Sequence, residues 1–289
     1  MSDIECVWPI GAILGEGPVW SATENALWFV DIKAPAIHRY EPATNTHKSW
    51  PAPARVGFVL PTTAGWMIAG LKTGLHKFNP DTGNFALLHV VEPHSPNNRL
   101  NDGFVDSTGH LWFGSMDDTE EEPSGALYQL TDSGCQRRDP GYVVSNGPAE
   151  SPDGRVLYHT DTLAGIIYAF DRSRDGLSNK RVFARFGAGE GFPDGPIVDA
   201  EGCVWTGVFG GWGLRRYSPK GELLTSLRLP CSAVTKAAFA GDDLRTLYIT
   251  TAHVSLDAEQ RKQQPLAGGL FRVRVDVPGL PQGIVSHGI

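Results

Sequence analysis

Six side chains in this sequence share one register. They are Glu16, Val56, Asp102, Asn146, Asp194 and Lys236, each standing just before the glycine or alanine of a recurring small-residue run: EGPVW, VGFVL, NDGFVD, NGPAES, DGPIVD and KAAFAG. Five of the six are polar or charged inside otherwise apolar segments, a pattern that packing alone does not select. Glu16, Asn146 and Asp194 offer only oxygen donors once the Asn146 amide oxygen turns inward, and hard divalent cations take such donors. Two carboxylates and one neutral amide balance a 2+ charge. Three protein ligands leave positions open for water and substrate, as in catalytic metal sites. Lys236 is the odd member, expected to pair with Asp102 or to hydrogen-bond near the axis. A single Asx-Gly or Glu-Gly pair mostly caps a turn; a set in one register outweighs that reading.

Other chemistries find less support. The nine histidines show no HxH or HExxH spacing, so a histidine-built zinc site is not expected. His159 and His253 read as packed or exposed side chains. GxSxG is absent, which removes the nucleophile elbow. Cys6, Cys135, Cys203 and Cys231 are scattered without a CxxC pair. The run GVFGGWG, Gly207 to Gly213, has no helix after it to cradle a phosphate.

The elements that must hold these residues repeat along the chain. Six apolar runs carry a large aromatic at Trp28, Trp66, Trp112, Tyr158, Trp205 and Tyr248, spaced by 38, 46, 46, 47 and 43 residues. Each small-residue strand precedes its aromatic by 9–11 residues, and an alternating segment such as AIHRYEP, GLHKFNP or IIYAFDR follows. Runs such as THKSWPA, NFALLHV, RVFARF and LLTSLRL leave room for one more outer strand. Four antiparallel strands per unit and six units predict an all-β, six-bladed propeller. It would form a single domain over residues 1–289, with the N-terminal strand IECVWPI closing the last blade and removing the exposed edges. One helix is expected, from Ser255 as N-cap to Gln264, stopped by Pro265.

Composition narrows the class. A formal charge of −7 disfavours nucleic acid as a partner. No run of 18 apolar residues suggests a membrane span. The N-terminus carries neither a basic n-region nor an apolar h-region, so a cytoplasmic protein, monomeric or weakly homo-oligomeric, is expected.

With LGEGPVW, FVDI, NNRLNDG, SNG, FPDG and QPLAGGLF in place, the sequence resembles the senescence marker protein/gluconolactonase/regucalcin-like family over nearly its whole length. It looks most like the bacterial sugar-lactonase branch, including pentonolactonases such as xylonolactonase. The resemblance implies a six-bladed propeller with one divalent metal ion (Ca, Zn, Fe(II), Mn or Mg) on Glu16, Asn146 and Asp194. It implies substrate binding by Arg99 and Asn101 of the N-R-x-N-D motif, and hydrolysis of a sugar lactone to its aldonic acid with Asp194 as general base. The family's acidic residue after its G-T-M strand end falls on Thr119 here, inside the loop Asp117 to Glu122. That departure leaves a third substrate contact, and the role of the loop, open. Phe192, Phe209 and Trp212 are candidates for walling the pocket or for packing between strands. The alternatives are a calcium-binding propeller without turnover, and a broader lactone or organophosphate hydrolase.

Overall fold

A computed structural model describes residues 3–173 and 176–289. Strand makes up 57% of it, with almost no helix, so the chain is all-β. After β1 (Glu5–Trp8), the strands fall into antiparallel groups of four in chain order. The first group is β2 (Gly15–Ser21), β3 (Ala26–Asp31), β4 (Ala36–Glu41) and β5 (Thr46–Pro51). The second is β6 (Val56–Pro61), β7 (Met67–Leu71), β8 (Gly74–Asn79) and β9 (Asn84–His89). The third is β10 (Asn98–Val105), β11 (Leu111–Asp117), β12 (Gly125–Thr131) and β13 (Gly134–Tyr142). The fourth is β14 (Ser145–Glu150), β15 (Val156–Asp161), β16 (Ile166–Ser173) and β17 (Gly176–Arg185). The fifth is β18 (Phe192–Val198), β19 (Val204–Phe209), β20 (Gly213–Tyr217) and β21 (Leu223–Arg228). The last is β22 (Ala233–Ala240), β23 (Thr246–Ala252) and β24 (Leu270–Arg274), to which β1 adds as the fourth strand. A single pair, Phe209 with Ala233, links the last two groups into one continuous sheet.

The arrangement is propeller-like. Each group's first strand lies beside the next group's: β2 by β6, β6 by β10, β10 by β14, β14 by β18, β18 by β22, and β22 by β2. Apolar clusters fill the junctions. Trp28, Trp50, Phe58 and Phe78 belong to one that runs through the first three groups. Trp112, Leu127, Leu157 and Phe170 join the third and fourth, while Trp20, Phe29, Ala238 and Tyr248 join the last group back to the first. The expected outer strands are β5, β9, β17 and β21; they are exposed or half-buried except at Trp50, Ala184 and Leu227, the buried residues of β5, β17 and β21.

The helix is shorter than expected, Ala258–Gln263, and Asp257 rather than Ser255 caps it. The Asp257 carboxylate accepts from the Glu259 and Gln260 amides, and the Gln260 side chain returns to the Asp257 amide. That reciprocal pair is stronger than anything Ser255 can offer two residues upstream. Among the described residues no helix is long and apolar enough to cross a membrane. The segment after β24 crosses the end of the sheets opposite the register residues. Its hydrogen bonds run from Gly279 N to Leu244 O, from Val285 N to Pro61 O and from Ser286 N to Gly109 O, at 2.8–3.0 Å.

Two aspartates show how a strand end is fixed. Asp199 accepts from the Glu201 and Cys203 amides with one oxygen, and from the Trp205 indole and Arg216 Nε with the other, all at 2.8–3.0 Å. Asp106 repeats this with Thr108, His110, Trp112 and Arg172. In the first group the equivalent position, two residues beyond the partner of the central tryptophan, is Ser21. There the Trp28 indole nitrogen is buried without a partner. Replacing Asp199 with Ala strands a buried indole N–H and two amides, and leaves the Arg216 guanidinium paired with Glu201 alone. It should lower unfolding stability by about 3–5 kcal/mol, read as a reduced urea midpoint at unchanged slope.

Candidate functional site

Each innermost strand carries a register shift at the same place. The shifts fall between Glu16 and Val19, Val56 and Phe58, Leu100 and Gly103, Asn146 and Ala149, Pro193 and Pro196, and Val234 and Ala237. Such bulges bend a strand and re-aim a side chain. The register residues stand at or inside these shifts: Glu16, Val56 and Asn146 keep a ladder partner at the edge, while Asp102, Asp194 and Lys236 fall within. Gly17 and Gly147 follow two of these residues at φ +55° and +83°, a left-handed backbone that a side chain would strain. Gly195 gives space instead: a Cβ there would lie 2.6 Å from Lys236 Cδ.

Glu16, Arg99, Asn101, Asn146 and Asp194 all line one cavity of about 340 Å³. Asp102 and Lys236 lie beneath it as a buried ion pair, Nζ to Oδ1 2.5 Å. Asp102 also accepts from the Gly103 and Gly147 amides at 2.8 Å. The expected Lys236–Asp102 partnership is therefore present, and it takes the local ammonium away from the other carboxylates.

Those other carboxylates are poorly served. Glu16 accepts only its neighbour's amide, Gly17 N at 2.8 Å. Asp194 Oδ1 is buried with no hydrogen-bond partner. Burial, then the charge of Asp102, pushes the Glu16 carboxyl up to about 7 despite the Gly17 amide. Burial and then the charge of Glu16 lift Asp194 well above the ordinary carboxylate range. Asn146 donates Nδ2 to Thr162 Oγ1 (2.9 Å) and accepts at Oδ1 from Asn101 Nδ2 (2.9 Å). Its oxygen therefore lies on the Asn101 side. An orphaned carboxylate oxygen, a second under-bonded carboxylate and an oriented amide oxygen, all buried on one cavity, fit a hard divalent cation. No set of three or more histidine, cysteine, aspartate or glutamate side chains among the described residues could hold a metal ion. A cation here must draw on the amide of Asn146.

Arg99 is almost fully buried. Its Nη1 donates to Leu100 O (3.2 Å) and Asn101 Oδ1 (2.6 Å). Its Nε lies 3.1 Å from Asp118 Oδ1 in an ion pair without hydrogen-bonding alignment. Asp118 also binds Arg55 and Lys72, so the acidic loop does brace this strand. Asp117 turns inward to its own loop, accepting from Thr119 Oγ1 and the amides of Glu121 and Glu122. Thr119 is spent on that turn. Glu120, held at φ +63°, lines the cavity in its place. The motif position falls on Thr119, one residue before Glu120, and nothing in the motif marks the left-handed backbone that Glu120 adopts. Phe192 and Phe209 line the cavity, whereas Trp212 packs beneath the Arg228 guanidinium at 5.1 Å. His159 is fully buried with both ring nitrogens unpartnered, and burial pushes it down to about 3, a packed neutral ring.

The buried carboxylates give the metal-free protein an inverted acid response. The Glu16 pKa rises on folding from 4.5 to about 7, so its contribution is fully present below 4.5 and is lost as pH rises through 7. Thermal unfolding in EDTA should show this loss between those values. Adding calcium should raise the midpoint at pH 8 and leave it nearly unchanged at pH 4.5. Equal stabilisation at both values would remove the carboxylates from cation binding.

The chain resembles known proteins over nearly its whole length. The SMP-30/Gluconolactonase/LRE-like region model matches residues 14–253. The chain is 34% identical over 286 residues to the 6-deoxy-6-sulfogluconolactonase of Pseudomonas putida, covering 98% of each. It is 35% identical over 286 residues to the regucalcin of Danio rerio, covering 96% of each. The crystal structure of a calcium-binding protein, regucalcin, from Agrobacterium tumefaciens superposes with a TM-score of 0.93 at 25% identity, over 97% of this chain and 96% of that one. The chain belongs to the SMP-30/gluconolactonase/LRE-like family.

Proposed function

We propose that this protein is a metal-dependent lactonase that opens an aldonolactone, such as xylono-, arabinono- or gluconolactone, to its aldonic acid. The observation that carries the reading is the unpartnered Asp194 Oδ1 beside Glu16 and Asn146, in a cavity whose other wall is Arg99. Glu16, Asn146 and Asp194 would hold one divalent cation, which when bound supplies Lewis acidity towards the lactone carbonyl. Their all-oxygen donor set admits Ca, Mg, Mn, Fe(II) or Zn. Asp194 has an oxygen with no protein donor, so it can accept a hydrogen from the attacking water. Its raised proton affinity suits a general base. Water adds to the carbonyl carbon, the ring C–O bond breaks, and the released alkoxide takes the proton.

The cavity's two sides suit a sugar ring. Arg99, Glu120 and Lys33 offer donors and acceptors from the first and third strand groups, while exposed Leu163, Phe192 and Val254 present an apolar rim from the last three. Arg99 Nη2 makes no hydrogen bond among the described residues and is free to donate to a hydroxyl. We read the six four-stranded groups as the blades of one closed propeller spanning residues 1–289, a reading supported by the return of β22 to β2. The four unpaired cysteines fit a reducing cytoplasm.

Incubation of metal-loaded protein with a panel of aldonolactones, following acid release, should give EDTA-sensitive turnover. Asp194→Ala should abolish it while the protein stays folded. Calcium binding without acid release from any lactone would favour a binding protein. Arg99→Ala should lower kcat/KM on the best sugar lactone by about one to two orders of magnitude, as loss of a charged hydrogen bond does, and far less on an unsubstituted lactone. Equal losses on both would assign Arg99 to bracing through Asp118.

A further inference from the structure

A count of hydrogens at Asn101 shows how its amide is oriented. Its Nδ2 has two, and both are used: one to Ser145 O at 2.7 Å, one to Asn146 Oδ1 at 2.9 Å. Its Oδ1 accepts from Arg99 Nη1 at 2.6 Å. A guanidinium can only donate and a backbone carbonyl can only accept. The Asn101 amide therefore has a single allowed orientation, fixed from both ends.

Asn146 has no such independent constraint. Beyond Asn101, its side-chain partner is the Thr162 hydroxyl at 2.9 Å, which can donate or accept and does not choose. Asn101 chooses, because a pure donor faces the Asn146 oxygen. A flipped Asn146 would set two NH2 groups against each other between two buried side chains. The amide oxygen of Asn146 has two lone pairs, and Asn101 takes one.

We propose that Asn101 is a positioning residue that fixes the polarity of the Asn146 amide, so that the second lone pair is presented to the cation. The relay runs from Arg99, the polarity-setting end, through Asn101 to Asn146. This rests on the proposed cation site of Glu16, Asn146 and Asp194.

Charge and polarity make opposite predictions for Asn101→Asp. Coulomb attraction alone says that an added carboxylate tightens cation binding. The relay says that binding weakens. The new carboxylate still accepts from Arg99, but it now faces Asn146 with an acceptor and draws the Asn146 NH2 to the side where the oxygen was. Calorimetric titration of the metal-free full-length protein with calcium chloride reads this without any substrate. Asn101→Asp and the uncharged Asn101→Leu should each weaken calcium binding by about 10–100-fold, the usual effect of removing a partner of a metal ligand. Arg99→Lys, which keeps a donor-only group, should retain binding better than Arg99→Met. Should Asn101→Asp fail to fold, as its melting curve would reveal, Asn101→Leu carries the result. Parent-like or tighter calcium binding by the folded Asn101 variants would overturn the inference, whatever happens to the KM for a lactone. Glu16→Gln separates the two levels. If Glu16→Gln loses calcium while the Asn101 variants keep it, only the relay falls. If Glu16→Gln binds like the parent, the cation site falls and the relay with it.

Discussion

Buried negative charge without enough protein donors to spread it is the constraint around which this molecule is arranged. Glu16 and Asp194 are buried together; burial and the charge of Asp102 raise the proton affinity of Glu16, and burial with the charges of Glu16 and Asp102 raises that of Asp194. The nearest ammonium, Lys236, is already held by Asp102. Three carboxylates therefore face one ammonium, while the Arg99 guanidinium pairs on its far side with Asp118. A proton or a cation can offset the difference. The protonated state serves at low pH. Near neutrality ionisation of such buried groups is costly, and the same cost becomes binding energy for any cation that enters.

Placing those groups in one spot is a task for the backbone. A regular strand alternates its side chains between the two faces of a sheet, and in these sheets both faces are already packed against neighbouring groups. The axis is a third direction. It becomes available where a bulge sets two residues against one, and all six innermost strands carry that bulge at matching positions. The apolar clusters between groups then hold the six strands in fixed relation, so a ligand built from strands distant in sequence gains rigidity from tryptophan and phenylalanine packing far from it. Towards the other end of the innermost strands lies a cavity of about 80 Å³, with residues 280–283 across it.

The register that singled out Glu16, Asn146 and Asp194 was legible because repetition makes position visible: a residue type that is unremarkable once becomes informative when its equivalents in other units are known. The strand groups and the Lys236–Asp102 pair were legible for the same reason. What had no counterpart in other units was not. The segment after Arg274 is rich in proline and glycine and has no period, yet it crosses several sheets through backbone hydrogen bonds that carry no side-chain signature. The helix cap moved to Asp257 because the reciprocal Gln260 bond depends on a spacing of three, which Ser255 lacks. The cavity-facing role of Glu120 depends on one left-handed residue. The use of both Asn101 hydrogens depends on a carbonyl, Ser145 O, that belongs to another strand. Trp212 was placed near the pocket by sequence proximity to Phe209, and its left-handed backbone, φ +64°, accompanies its packing beneath Arg228 instead.

On the proposed reading, the amide at position 146 is itself a physical choice. A third carboxylate there would attract a cation more strongly, but it would add a like charge to a pair whose members already resist ionisation. Before any cation arrived, that charge would weaken the fold or be neutralised by a proton, which competes directly with the metal. An amide oxygen ligates without a net charge, so it escapes this competition. Its weakness is different: the two ends of an amide have the same shape and opposite polarity, and a hydroxyl neighbour such as Thr162 tolerates either. Whoever replaces a carboxylate by an amide must therefore supply an orienting partner. In this protein that partner lies on the adjacent strand group, where Asn101 is pinned between a guanidinium that can only give hydrogens and a carbonyl that can only take them.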